Sequence, residues 1–343
     1  MSLDLTVPLV CYPLSVRYNA GLAALSAVLK ARGIDTDLCL LSSESDFLRR
    51  LVAWRSPVVC FSAVTATDYV RSLPFMKLAH DHGKTVLLGG VWAGRGFPVP
   101  EYVDLVCRGD GESLADYFLH GDDGLFRAAF MTRDLNALPL PDYAMWEGIP
   151  FDRGLPETAG KFCLPYISSR GCPYPCSFCL IRQQPDKQRM RIRTKVEADL
   201  VELTDRYHPD LWFITDALLP YHLKAWRDSW GAFRAPFVAY LRADIRPDDL
   251  AWCIDRGMVG CAFGVESGDE GYRNGALHKS LSDEDIWRTV GALRKAGVWF
   301  VPYFMCETPG ETMVARTKTA QMARQMGPYA IIWQYEELAS WQS

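Results

Sequence analysis

Three cysteines share one short stretch, Cys172-Pro-Tyr-Pro-Cys176-Ser-Phe-Cys179, introduced by Ser168-Ser169-Arg170-Gly171. Pro173 and Pro175 break regular structure, so the thiols belong to a loop and do not alternate into a core. Thiolates hold iron–sulfur clusters, and three ligands on a short loop leave one iron of a [4Fe-4S] cube without a protein ligand, open to a substrate or cofactor. A zinc site usually closes with four ligands. Here Cys163, on the far side of the preceding apolar run, is the only nearby candidate for a fourth. Cys172, Cys176 and Cys179 are therefore the candidate metal ligands.

Polar residues recur at the ends of later apolar runs. The run 211–215 leads into Asp216, 237–241 into Arg242, 260–265 into Glu266-Ser267, and 298–305 into Glu307 and Pro309-Gly-Glu-Thr312. Each charge taken singly is what a solvated loop would carry. Their recurrence at successive run ends points to one site. A basic segment follows the cysteines: Arg182, Lys187, Arg189, Arg191, Arg193 and Lys195. It reads either as a solvated loop and helix start, or as phosphate capture from a nucleotide, nucleic acid or phosphorylated substrate. The aromatics Tyr329, Trp333, Tyr335 and Trp341 read as core and lid before base stacking.

The elements that must position these groups follow from hydrophobic periodicity. In the first part, strands are expected at 6–12, 35–41, 58–63, 85–88 and 105–107, with helices at 21–32, 46–54 and 69–82 between them. In the second part, strands are expected at 164–168, 211–215, 237–241, 260–265, 298–305 and 330–333, alternating with helices at 194–207, 246–255, 282–296 and 313–326. The fold class is α/β. A doubly wound, Rossmann-like domain over 1–125 is joined by a proline-punctuated linker, 126–160, to a partial (β/α)6 barrel over 161–343. Ligands in such folds bind at the carboxyl ends of the strands. Gly89, Gly90, Gly109 and Gly111 lie at those ends, where they would admit a large ligand or merely serve tight turns.

The Cys-x-x-x-Cys-x-x-Cys loop resembles the signature of the radical S-adenosylmethionine (SAM) superfamily, whose open iron chelates SAM. The first third of the chain resembles the cobalamin-binding domain that precedes many of these enzymes. The matching pieces are Asn19-Ala-Gly-Leu-Ala-Ala-Leu-Ser-Ala-Val-Leu29, Cys60-Phe-Ser-Ala-Val-Thr65, Leu87-Leu-Gly-Gly-Val-Trp92 and Val106-Cys-Arg-Gly-Asp-Gly-Glu112, and Leu138-Pro-Leu-Pro-Asp142 resembles the family's connector. The resemblance implies SAM contacts from Phe178 to the adenine, Glu266 and Ser267 to the ribose, Arg242 to the carboxylate and Asp216 near the amino group. It implies cobalamin contacts from Ser62, Thr65, Gly89, Gly90 and Gly109. Tyr303 and Glu307 become the catalytic candidates, Glu307 standing where the family usually has glycine. Two departures concern cobalamin: no Asp-x-His-x-x-Gly motif occurs, and Trp92 and Arg95 replace smaller groups in the expected cavity.

The resemblance further implies an enzyme in which a reduced cluster cleaves SAM and the resulting 5′-deoxyadenosyl radical removes hydrogen from an unactivated carbon. Two outcomes stay open. With cobalamin bound, a methyl group passes to the substrate radical. Without it, the first domain is a cap and the reaction is an isomerisation, rearrangement or cleavage, for which the short stretch after the sixth strand counts. A small-molecule or nucleotide-like substrate and an electron donor such as a flavodoxin or ferredoxin are the implied partners. Two non-radical readings also stand: an iron–sulfur or zinc module that binds nucleic acid, and a redox-sensing interaction protein.

Composition bounds all of these. At 343 residues and 49% hydrophobic, the chain can bury a large core and suggests about two domains. No apolar run approaches the ~20 residues of a membrane helix, and the first residues lack a signal peptide's basic flank. A cytoplasmic location is expected. Eleven cysteines, an odd and scattered count, suit a reducing compartment better than a disulfide framework. A net charge of -4 argues against a broad nucleic-acid footprint.

Overall fold

The computed structural model describes residues 6–12, 20–95, 99–115, 134–146, 161–179, 188–219 and 234–335, together with Phe118, Thr132, Ile181 and 227–228. Asn19, Arg182, Lys187 and Trp341, and most of the expected linker, lie outside them, as does the side chain of Arg95. The chain divides into two units, Met1–Phe162 with Gln183–Arg191, and Cys163–Arg182 with Ile192–Ser343.

The first unit contains a five-stranded, all-parallel sheet. Its elements are β1 (Thr6–Cys11), α1 (Ala20–Ala31), β2 (Asp35–Leu40), α2 (Glu44–Ala53), β3 (Val58–Ser62), α3 (Ala66–Asp81), β4 (Thr85–Gly89) and β5 (Leu105–Val106). The strand order is β2-β1-β3-β4-β5, so the winding reverses between β1 and β3. Every residue of β3 is buried, as expected of a central parallel strand that has no solvated face. Phe47 of α2 packs edge-on against Phe75 of α3 and tilted against Phe61 of β3, fixing both helices on the sheet. Helix α3 begins three residues before the periodicity predicts because Thr65 and Asp68 form a reciprocal capping box.

The second unit holds six parallel strands, β6 (Cys163–Tyr166), β7 (Leu211–Ile214), β8 (Phe237–Leu241), β9 (Met258–Glu266), β10 (Trp299–Cys306) and β11 (Ile331–Gln334). They are hydrogen-bonded in sequence order from β6 to β11. The helices between them include α4 (Arg193–Tyr207), α5 (Pro247–Asp255), α6 (Glu270–Gly275), α7 (Asp283–Lys295) and α8 (Met313–Met326). Helix α7 shows why the termini fall where they do. Ser282 accepts from the Asp285 N–H, three acidic residues fill the first turn, and Arg294 and Lys295 close the last, all in the sense the helix dipole favours. Leu211, Phe213, Val238 and Cys163 form one buried cluster, with Tyr240 and Trp299 packed against it.

All eleven cysteines are free thiols. Outside the cysteine loop, seven of the other eight are buried and Cys306 is partly exposed. They behave as small core hydrophobes. Among the described residues, no helix is long and apolar enough to cross a membrane.

Candidate functional site

The cysteine loop is held from behind by one short segment, residues 276–280. Ser177 donates its backbone N–H to the Leu277 carbonyl at 3.1 Å and its hydroxyl to the Ala276 carbonyl at 3.0 Å. Tyr174, between the first two cysteines, lies beneath the Arg242 guanidinium, whose carbon is 3.8 Å from the ring centroid. Arg242 donates onward to the Lys279 and Ser280 carbonyls at 2.9 and 3.0 Å. The Lys279 ammonium stands 5.7 Å from the Phe178 ring centroid and 2.8 Å from Glu266 Oε1. Backbone, ring and charge thus fix the loop to the ends of β8 and β9.

That segment is itself strained. His278 and Ser280, on either side of Lys279, have φ of 50° and 52°, and Glu266 has φ of 70°. A left-handed conformation costs a non-glycine residue about 1–2 kcal/mol. The surroundings impose it. Arg273, wholly buried, donates to the carbonyls of Ser267 and Leu281, each at 2.8 Å, and to Asp283 at 2.6 Å. At the end of β9 the register with β10 shifts between Gly264 and Glu266. The Glu266 side chain folds back over Gly264, where a Cβ would collide with Glu266 Oε1 and meet Lys279 Nζ at 2.9 Å. Glycine at 264 makes the room in which this ion pair sits. Glu266 Oε2 makes no hydrogen bond among the described residues and is available to a ligand.

Burial pushes the Cys176 thiol above its ordinary range, and Lys279 and then Arg242 pull it back. Burial likewise raises Cys172, with the other two thiols adding to the effect. Among the described residues, no three His, Cys, Asp or Glu side chains gather as a single metal ion requires. A lone zinc ion draws its thiolates to about 2.3 Å. Three thiols on one loop broken by Pro173 and Pro175 fit a cube with one open iron.

Several expected contacts fall elsewhere. Asp216 is 1% exposed, and both its oxygens are taken: Oδ1 accepts from the backbone N–H of Ser168 and Ser169, and Oδ2 from their hydroxyls, at 2.5–3.0 Å. It braces the segment that leads into the cysteine loop. Burial pushes its carboxyl up to about 6 against those four hydrogen bonds. Ser267, expected on a ribose, is also 1% exposed, its hydroxyl on Thr319 of α8 at 3.3 Å. Arg242, expected on a carboxylate ligand, spends its fork on Asp244 at 3.0–3.2 Å. It acts on the loop through Tyr174.

In the first unit, Thr65 is the cap of α3, accepting from the Asp68 N–H at 3.1 Å. Gly90 has φ of 93°, and a Cβ there would strike the Ala63 backbone, so chain packing accounts for it without a ligand. Ser62, buried at the end of β3, pairs in register with Cys11 and Gly89. With Gly89 and Gly109 (φ 107°) it remains at the carboxyl edge of that sheet. Trp92 is buried, its backbone N–H donating to the Ala63 carbonyl at 3.1 Å and its ring 6.4 Å from that of Tyr69 on α3.

The described part of the basic segment is neutralised within the fold. Arg189 pairs with Asp110 at 2.6 Å, Arg193 with Glu197 at 3.1 Å and Lys195 with Asp199 at 2.9 Å, while Arg191 is buried. Phosphate capture loses those charges. Tyr303 lies on β10 opposite Gly264, partly exposed. Glu307, just beyond β10, has φ of 62°, which explains why glycine would be usual there. Its carboxylate accepts from Gln334 at 2.5 Å and stands 3.7 Å from Arg316. Nothing in residue type or spacing singles out Lys279, Arg273 or Tyr174, because no spacing rule predicts a buried lysine between two left-handed residues.

No known protein-family profile matches the chain. Among curated proteins, it is 23% identical to the anaerobic magnesium-protoporphyrin IX monomethyl ester cyclase of Cereibacter sphaeroides, over 94% of this chain and 57% of that protein. It is 25% identical to an uncharacterized methyltransferase of Synechocystis, over 79% of this chain and 52% of that one. The chain spans about half the length of these curated relatives. Among solved structures, it matches the radical SAM methyltransferase TsrM of Kitasatospora setae, seen with cobalamin and a [4Fe-4S] cluster, at a TM-score of 0.71 and 14% identity, over 97% of this chain and 72% of that one. The cobalamin-dependent SAM radical enzyme OxsB, seen with aqua-cobalamin, matches at a TM-score of 0.68 and 15% identity, over 94% and 52%. The chain has the fold of cobalamin-dependent radical SAM proteins. With coverage of 94% or more, that likeness takes in strands of both units and not the cysteine-bearing unit alone.

Proposed function

We propose that this chain is a radical SAM enzyme of the cobalamin-dependent methyltransferase type, acting on a small-molecule substrate. One observation carries the reading: the three-cysteine loop is fixed to the carboxyl ends of parallel strands beside a folded-back Glu266–Lys279 pair. When bound, the cluster with SAM supplies one-electron chemistry at an unactivated carbon, and cobalamin supplies a transferable methyl group. Cys172, Cys176 and Cys179 would hold three irons and leave the fourth to SAM. Phe178 offers an aromatic face beside that position, and Glu266 Oε2 a carboxylate oxygen suited to ribose hydroxyls. Tyr303 and Glu307, on the neighbouring strand, are the candidates for contact with the substrate. In the first unit, Ser62, Gly89 and Gly109 at the carboxyl edge would face the corrin, with Trp92 as a wall of that cavity.

The test is anaerobic reconstitution with iron and sulfide, followed by SAM, dithionite and a panel of small-molecule acceptors. Cluster absorption together with turnover of SAM to methylated product or 5′-deoxyadenosine is the expected result. A protein that takes up no cluster overturns the whole reading. Expression with hydroxocobalamin should give a coloured, stoichiometric complex, and a colourless protein would remove the cobalamin part alone.

A further inference from the structure

The Glu266–Lys279 pair does more than hold the fold together. Both side chains are only 10% exposed. Buried ion pairs contribute little net stability, because desolvation offsets most of the attraction. This one is also bought with backbone strain at Glu266, His278 and Ser280. Residues held against their preferred conformation persist where the surroundings over-determine them, and such positions cluster at working sites. Here Arg273 and Arg242 supply that over-determination from two sides. The ammonium they hold stands 5.7 Å from the Phe178 ring centroid, next to Cys179 in the cysteine loop.

We infer that Lys279 is a positioning residue of the cluster site. It fixes the Glu266 carboxylate in its folded-back orientation and presents a permanent positive charge to the cluster side of the loop. This rests on the cluster reading above. Two consequences follow. A fixed cation stabilises the reduced, more negative cluster, so it raises the reduction potential. An anchored Glu266 binds SAM without first having to be ordered.

The experiment uses the full chain, reconstituted anaerobically as wild type, Lys279→Gln and Lys279→Arg. The midpoint potential is read by a mediator titration followed by electron paramagnetic resonance, and SAM affinity by calorimetry. Lys279→Gln should move the potential in the negative direction and weaken SAM binding about tenfold. Lys279→Arg should restore the potential, because charge is retained. A Lys279→Gln protein with wild-type potential and wild-type affinity overturns the inference while leaving the cluster reading intact. Should Lys279→Gln misfold because Glu266 is left unpaired, the double variant Lys279→Met with Glu266→Gln removes both charges. Measured against Glu266→Gln alone, which keeps the lysine charge, an unchanged potential in the double variant also overturns the inference, and a more negative one supports it. A wild-type protein without a cluster would overturn the cluster reading and this inference together.

Discussion

The two units use the same architecture in different ways. Both are parallel sheets with polar or glycine residues at or just beyond some of their strand ends, as at Ser62 and Gly89 in the first and Arg242 and Glu266 in the second. In the first unit, every described residue with positive φ is a glycine: Gly33, Gly83, Gly90 and Gly109. In the second, Glu266, His278, Ser280 and Glu307 adopt that conformation with full side chains, all near strand ends or the segment behind the cysteines. The remaining such residue, His208, is the C-cap of α4. The first unit therefore meets its turns at little cost, whereas the second accepts strain in order to place particular groups. Buried charges are also more numerous there among the described residues: Asp199, Asp216, Arg242, Asp249, Glu266, Arg273 and Lys279, against Asp68, Glu112 and Arg191 in the first unit.

The strongest way to break this contrast is at the loop itself. Cys176→Ala should abolish cluster uptake, read as loss of the cluster's visible absorption after reconstitution. An unchanged spectrum would remove the chemistry from the second unit. Next in size is Gly90→Ala in the first unit. The added Cβ meets the Ala63 backbone at a φ that disfavours alanine, so urea unfolding should show a loss of about 3 kcal/mol. A loss typical of a surface change would mean that Gly90 is spared for a ligand and not for packing.

Asp216 gives a test by pH. Its carboxyl titrates at about 6 in the fold, against about 3.9 in an unfolded chain. The folded state therefore binds the proton more tightly. The associated stability is complete below about pH 4 and is lost as pH rises through 6, amounting to about 3 kcal/mol at neutral pH. Asp216→Asn can keep all four hydrogen bonds, with Oδ1 still accepting from the two backbone N–H groups and its amide donating to the two serine hydroxyls. Chemical denaturation from pH 4 to 7 should show a flatter profile for Asp216→Asn, with SAM affinity unchanged. A large loss of SAM binding would return Asp216 to the site. The smallest expected effect is Glu307→Gly, which relieves the left-handed conformation and should raise stability by about 1 kcal/mol while lowering turnover. If stability falls instead, the Gln334 and Arg316 contacts outweigh the strain and the contrast between the units weakens.

Much of this was legible in the residues. The cysteine loop announced itself through type and spacing, with two prolines excluding regular structure. The alternation of apolar runs and amphipathic stretches located the strands and helices of both units, since period is a local property of the chain. Where the boundaries moved, a local bond was responsible, as at Thr65 and Asp68. The site was legible only in part. Asp216, Arg242 and Glu266 were recognised as residues that matter, but the partners that engage Asp216 and Arg242 within the fold were not. Nothing in the chain announces that Ser168 and Ser169 will saturate one carboxylate, or that Asp244, only two residues away, will occupy the guanidinium.

The sequence by itself thus determined the three-cysteine loop, the two parallel sheets and the strand ends at which chemistry can occur. These depend on residue type and short-range periodicity. Only the tertiary structure decided which of the polar groups remain open to a ligand. Burial, register shifts and backbone strain depend on contacts between residues far apart in the chain, as where Gly264 leaves the space in which Glu266 and Lys279 meet.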